Sequence, residues 1–231
     1  MLDPFGRVAL VTGANRGIGA AVVDRLLHIG YAVAAGVRDP SSLQPRGNLT
    51  VHRYEAEDEA LAASFVTEAV AAHGRVDALV NAAGINPMAN FLDEDEGAHD
   101  LMWRVNVKGP MRLTRHAWPH LAACGEGRVV NIASLSGKRV ANENTGYSLS
   151  KFAVVALTQA IRKQGWDAGI RATAVCPGFV DTDMTAHVTA VARDAMTRPE
   201  DVAALVETAL RLPNTATVGE MLVNWRLEPF L

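Results

Sequence analysis

Cysteine is scarce in this chain. Only Cys124 and Cys176 occur in 231 residues, each in an apolar or small-residue setting. The opening MLDPFGRVALVTG has no basic stretch ahead of its short apolar run, so it reads as a strand and not as a signal peptide. Without an export signal the two thiols are expected to be reduced, in the cytoplasm. An excess of basic charge is missing too. The 22 Lys and Arg against 25 Asp and Glu leave a net charge of −3 and a pI near 6.2, which gives no footprint for nucleic acid or for a membrane surface. No apolar run approaches the roughly 20 residues that span a bilayer. Repeats, low-complexity tracts and a credible linker are absent as well, and one domain over residues 1–231 is the economical expectation.

What is present is a core-forming composition, 49% hydrophobic and 20% charged, which argues against disorder. Short apolar runs alternate with longer helical patterns from end to end. RVALVTG, YAVAAGV, LTVHRY, VDALVNAAG, GRVVNIAS, GIRATAVCPG and GEMLVNW read as strands. Between them, IGAAVVDRLLHIG and EDEALAASFVTEAVAAHG read as helices ended by Gly30 and Gly74. A long helical region is expected from about Glu94 to Ala123, with Pro110 and Pro119 breaking its regularity. Further helices open at Tyr147–Lys151 and at PEDVAALVETAL. Strands apolar on both faces and spaced by helices predict an α/β fold: a doubly wound parallel sheet of about seven strands, Rossmann-like, with helices on both sides.

The junction after the first strand is TGANRGIG, with glycines at 13, 17 and 19. It is not G-x-G-x-x-G, but the same physics applies. Gly13 permits a tight turn, Gly17 lets backbone approach a diphosphate, and Gly19 lets the helix pack closely on the sheet. The helix N-terminus then offers free N–H groups and the positive end of its dipole. A second feature is TGYSLSKFAVVALTQAI, where Tyr147 and Lys151 stand one turn apart on one helix face. Taken alone, the pair is equally an exposed Tyr with a snorkelling Lys or a proton-transfer device.

Further along are NAAG (81–84), NVKG with Asn106, NIASLSG with Ser134, and PGFVDT from Pro177. With these six motifs in order, nearly the whole chain resembles the short-chain dehydrogenase/reductase family. The thirteen-residue gap from Ser134 to Tyr147 fits that family's usual pattern. The resemblance implies an oxidoreductase that moves a hydride between a nicotinamide cofactor and a carbonyl or alcohol. Tyr147 would be the general acid/base. Lys151, with the charge of the oxidised nicotinamide, would lower the phenol pKa and also bind the ribose. Ser134 would hold the substrate oxygen, and Asn106 would fix a water linking Lys151 to solvent. Structural roles are the alternatives: Ser134 ending a strand, Asn106 capping a kink beside Gly109 and Pro110.

The same resemblance implies a cofactor set of Gly13, Asn15, Arg16, Gly17, Ile18, Gly19, Arg38, Glu55, Asn81, Ala82, Gly84, Tyr147, Lys151, Pro177, Gly178, Val180 and Thr182. Thr182 would touch the carboxamide, with Val180 beside it. Asn81 would in addition bridge strands. Glu55 stands where many relatives carry an adenine-contacting Asp. An NAD site usually ends its second strand with an acid, yet here Val37 takes that place and Arg38 follows. Arg38 and Arg16 suit a 2′-phosphate, so NADP is favoured over NAD. Asp39 would serve an NAD ribose if the register slips.

Other features carry less. His116 and His120 have a metal-binding spacing, but Pro119 lies between them and no third ligand is near, so no metal is expected. The acids Asp93–Glu96 suit a solvated helix start, and Trp103 and Trp118 suit packing. A short flap, about 179–199, should cover the substrate. Its Met184, Val188 and Val191 come with no cation cluster, and Asn86, Met88, Val140, Asn144 and Phe179 are candidate pocket positions. A small ketone, aldehyde or secondary alcohol is the expected substrate. Phe152, Val154, Val155, Leu157 and Ile161 cannot all face the sheet, which predicts a homodimer or homotetramer. The rival reading is a non-catalytic NAD(P)-binding sensor on the same fold, which would need no proton relay. An enzyme of this fold with another reaction is the second rival.

Overall fold

The fold was analysed in a computed structural model that describes residues 1–227. The expected single domain over 1–231 therefore includes four residues, 228–231, outside the described ones. Seven strands form one sheet: β1 (Val8–Thr12), β2 (Ala32–Val37), β3 (Leu49–Arg53), β4 (Ala78–Asn81), β5 (Arg128–Ile132), β6 (Arg171–Pro177) and β7 (Glu220–Val223). All neighbours are parallel, in the order β3-β2-β1-β4-β5-β6-β7. The helices are α1 (Gly17–Ile29), α2 (Glu59–His73), α3 (Gly97–Met102), α4 (Gly109–Ala123), α5 (Thr145–Gly165) and α6 (Pro199–Arg211).

Strand residues alternate between two cores, as a two-residue side-chain period requires. Ala9, Val11, Val33, Ala35, Val80 and Val130 join Val22, Val23 and Leu26 of α1 and Val202, Val206 and Leu210 of α6. Leu10, Ala34, Leu79 and Val129 face the other way, onto Phe65 of α2, Leu113 and Leu121 of α4 and Ile161 of α5. The strand order turns back between β1 and β4. In such a sheet the crevice for a ligand opens there, beyond the C-terminal strand ends.

Two expectations need correction. The long helical region begins at Gly97, not Glu94, and its irregularity is not at the prolines. A π-helical segment, Trp103–Lys108, separates α3 from α4, Pro110 sits in the first turn of α4, and Pro119 lies within a helix that continues past it. Pro110 is tolerated because a first-turn N–H has no helical partner to lose. Trp118 packs against the core, whereas Trp103 is 46% exposed.

Candidate active site

The glycine loop is built as a cradle. A Cβ on Gly19 would lie 2.1 Å from the Gly13 carbonyl, and one on Gly13 would reach the Ala83 backbone at 3.0 Å. Gly13 and Gly17 both have positive φ, +64° and +54°, a region that side chains disfavour. Behind the loop, Thr12 Oγ1 accepts from the N–H groups of Ala82 and Ala83, both at 3.1 Å, tying β1 to the segment after β4. Helix α1 has no side-chain cap and no acid in its first turn. Its N-terminal N–H groups and dipole end are left for an anion. These features fit the diphosphate of a dinucleotide.

A cavity of about 780 Å³ runs from this loop across the strand ends to the start of α5. It brings together Gly13, Asn15, Arg16, Gly17, Ile18, Gly19, Arg38, Glu55, Ala82, Gly84, Pro177, Gly178, Val180 and Thr182 with Ser134, Tyr147 and Lys151. Arg16 is paired with Asp183 at 3.3 Å. Arg38 is exposed at the end of β2. Asp39, also in the lining, caps a short turn by accepting from Ser41 N at 2.9 Å and Ser41 Oγ at 2.8 Å, and these bonds hold its carboxyl below the usual range.

Two expected site residues stand behind the wall. Asn81 does not line the cavity: it is buried between strands, where its Nδ2 donates to Asn131 Oδ1 at 2.8 Å and at longer range to Thr114. Asn131 in turn donates to Thr158 of α5 at 2.8 Å. Asn81 braces β4 against β5 through its Nδ2, while its buried Oδ1 has no hydrogen-bond partner among the described residues. Asn106, in the π-helical segment, is 1% exposed and also outside the lining. Its amide accepts from Ile85 N at 2.9 Å and donates to Ile85 O at 3.0 Å and Ser150 Oγ at 3.1 Å. These bonds make the side chain a brace for the loop after β4.

The reactive groups are placed by α5 and the end of β5. Asn144 caps α5, its Oδ1 accepting from Tyr147 N at 3.4 Å, and the next turn carries Lys151 under the same face. Lys151 Nζ donates to the Ile132 carbonyl at 2.8 Å and lies 5.5 Å from the Tyr147 ring centroid. Burial pushes Lys151 down to about 8. Tyr147 is pushed up to about 12 by burial, against the opposing pull of its hydrogen bond with Ser134. Ser134 Oγ accepts from Ser136 N at 3.0 Å, lies 3.4 Å from Pro177 O and meets the Tyr147 hydroxyl.

Asn86, Asn144 and Phe179 line the cavity, but Met88 and Val140 do not: they are 70% and 62% exposed. Residues that sequence reasoning missed are Arg139, Asn142, Trp225 and Arg226. Trp225 packs on Gly178, where a Cβ would come within 2.6 Å of the indole, and its ring lies 5.7 Å from that of Phe179. The usable signal was positional: ligands sit beyond strand C-termini, and Trp225 and Arg226 directly follow β7. The flap base is fixed by a bridge between Val180 and Thr197 and by the ion pair of Arg193 with Asp181. His116, for which no metal is expected, pairs with Glu59 at 2.7 Å. No helix among the described residues is long and apolar enough to cross a membrane.

A parallel doubly wound sheet with a glycine cradle at its switch point and a Ser, Tyr and Lys beside it defines a dinucleotide-binding protein of the oxidoreductase type. Comparison with known proteins agrees. Residues 7–193 match the family described as short chain dehydrogenase, and the chain belongs to this family, whose members are nicotinamide-dependent oxidoreductases. It is 40% identical over 217 residues to an agropine synthesis reductase of Rhizobium rhizogenes, covering 91% of this chain and 50% of that one. The chain thus spans about half the length of that relative. Among solved structures, a short chain dehydrogenase from Burkholderia cenocepacia in complex with NADP superposes with TM-score 0.85 at 26% identity, covering 96% of this chain and 90% of the other. A 3-ketoacyl-(acyl-carrier-protein) reductase from Brucella melitensis complexed with NADH gives TM-score 0.86 at 27% identity, covering 95% and 97%.

Proposed function

We propose that this chain is an NADP-dependent oxidoreductase acting on a small ketone or aldehyde, or on the matching secondary alcohol, with Tyr147 as general acid/base. The observation that carries the reading is that Ser134, Tyr147 and Lys151 line one cavity with the glycine loop. The bound nicotinamide supplies or accepts the hydride. In reduction, charge develops on the substrate oxygen. Ser134 donates a hydrogen bond to it and Tyr147 delivers the proton. A phenol held near 12 stays protonated across the physiological range, so it is poised as the acid. In alcohol oxidation the same phenol must give up its proton first, and the positive charge of Lys151 beside it favours the anion. Lys151 is anchored to Ile132 by one of its three N–H groups, leaving two for the ribose hydroxyls.

The preference for NADP rests on the cations at the adenosine end. Arg38 follows β2 directly, while Asp39, the residue able to serve an NAD ribose, has its Oδ1 engaged with Ser41. The chain acts as one dinucleotide-binding domain whose flap, about 179–199, covers the substrate, and it functions in the cytoplasm. It assembles through α5 as a homodimer or homotetramer. Val154, Val155 and Ile161 are buried within the subunit, but Phe152 and Leu149 are 42% and 56% exposed, and Trp103 adds to this apolar face.

A panel of carbonyls and alcohols, followed by absorbance of the reduced cofactor, tests the reading. Turnover is expected with some member, and Tyr147→Phe should lose about 10²–10⁴-fold in kcat while binding cofactor as the parent does. Undiminished turnover by the Phe variant would overturn the acid/base role.

A further inference from the structure

The orientation of three asparagine amides around the substrate half of the cavity is set by the backbone. Asn144 Oδ1 accepts from the N–H groups of Ala89 at 3.2 Å and Tyr147 at 3.4 Å, so its NH₂ must point the other way. That NH₂ donates to Asn86 Oδ1 at 2.8 Å and to Pro87 O at 3.0 Å. Asn86 therefore has its oxygen occupied. Asn142 is fixed in the same sense, because its Oδ1 accepts from Asn144 N at 3.1 Å. Each oxygen is used inside the protein, and the NH₂ groups of Asn86 and Asn142 remain on residues that line the cavity. Amide oxygen and nitrogen cannot exchange here without setting N–H against N–H.

The charges point the same way. Four acids line the cavity: Asp39, Glu55 and Glu57, which follow β2 and β3, and Asp183, paired with Arg16 of the glycine loop. Asp183 is thus neutralised by Arg16, whereas Arg226 enters the lining from the tail after β7. Its guanidinium stacks 4.8 Å from the centroid of Trp225, a geometry that orients the fork and keeps its N–H edges for another partner. The substrate half thus presents donors and positive charge, beside the aromatic wall of Phe179 and Trp225. The flap contributes none of these cations.

We infer that the substrate carries a carboxylate, held by Arg226 and the amide NH₂ groups of Asn86 and Asn142 while its carbonyl meets Ser134 and Tyr147. This rests on the reading of the cavity as a carbonyl-reducing site. A guanidinium and two amide donors match the acceptor-only surface of an ionised carboxylate, and charge-assisted bonds are the stronger kind.

The test is a calorimetric titration of protein loaded with oxidised NADP, which cannot reduce an oxo group. Linear oxo acids from pyruvate to 5-oxohexanoate are compared with their methyl esters, matched pairs that differ in charge. At least one acid is expected to bind about tenfold or more tighter than its ester. Arg226→Gln should cut that acid-to-ester ratio by roughly tenfold. Asn86→Asp should do the same: it keeps an oxygen for Asn144 to donate to and replaces the NH₂ by a repelling oxygen. Esters binding as tightly as acids throughout, no acid binding at all, or a ratio untouched in both variants would each overturn the inference. The oxidoreductase reading is judged separately, by supplying NADPH. Charge-selective binding without oxidation of NADPH would remove that reading and leave the carboxylate site, whereas turnover without charge preference would do the opposite.

Discussion

The ammonium of Lys151 is bonded to the carbonyl of Ile132 at 2.8 Å and stands beside the Tyr147 ring, not on its hydroxyl. The last carbonyl of β5 therefore fixes where the charge sits, one layer beneath the phenol. A buried ammonium with so few partners costs stability, and that cost is measurable.

Burial lowers Lys151 from 10.5 to about 8. Between those values the unfolded chain holds the proton and the folded chain does not, so stability rises with pH through this window. Below about 8 the folded state bears a penalty of about 3 kcal/mol. Lys151→Met removes it, while stranding the Ile132 carbonyl costs about 1–3 kcal/mol. The variant should be at least as stable as the parent at pH 7, by up to about 2 kcal/mol, and should lose turnover. Urea unfolding at pH 7 and pH 9.5 checks this; a less stable variant at pH 7 would refute the accounting.

Arg38→Ala should weaken NADPH binding by about tenfold and leave NADH nearly unchanged, because a guanidinium recognises the 2′-phosphate that NADH lacks. Fluorescence titration with both cofactors reads the ratio. Equal losses for the two would place the arginine elsewhere than at the phosphate.

At Gly19 a methyl group has nowhere to go, since its Cβ would sit 2.1 Å from the Gly13 carbonyl. Gly19→Ala should move the loop, destabilise the fold by about 1–3 kcal/mol and weaken cofactor binding by at least tenfold. Gly47→Ala is the useful contrast, because nothing lies within 4 Å of its Cβ although its φ is +53°: it should strain the backbone locally and leave cofactor affinity intact.

Asn81→Ala distinguishes a brace from a ligand contact. Losing its bond to Asn131 leaves a buried acceptor without its donor, at about 1–3 kcal/mol. Chemical denaturation should report that loss, while the dissociation constant for NADPH in the folded variant stays within about twofold. A drop in affinity beyond this would return Asn81 to the cofactor site.

Leu149→Glu combined with Phe152→Glu places two charges on the exposed apolar face of α5. Sedimentation velocity should show the parent as a dimer or tetramer and the double variant as a monomer. A parent that is already monomeric would end the proposal that α5 pairs with its copy.

Much of the site was legible in the chain itself. Strand and helix periods, glycine spacing after the first strand and the one-turn offset of Tyr147 and Lys151 are local properties, and local geometry follows from φ/ψ preferences and side-chain period. That is why the seven strands and the cradle emerged from residues alone, whereas the Ser134, Tyr147 and Lys151 set came from the resemblance to the family. Tertiary packing decided the rest. For Asn81 and Asn106 a sequence does not say which face of a wall an amide occupies, and the structure turns the Asn81 nitrogen to Asn131 and the Asn106 side chain to Ile85 and Ser150. Trp225 and Arg226 were marked only by their place after the last strand, and Arg139 by nothing, because a site built from distant segments is defined by which loop lies over which strand end, and no local pattern encodes that distance.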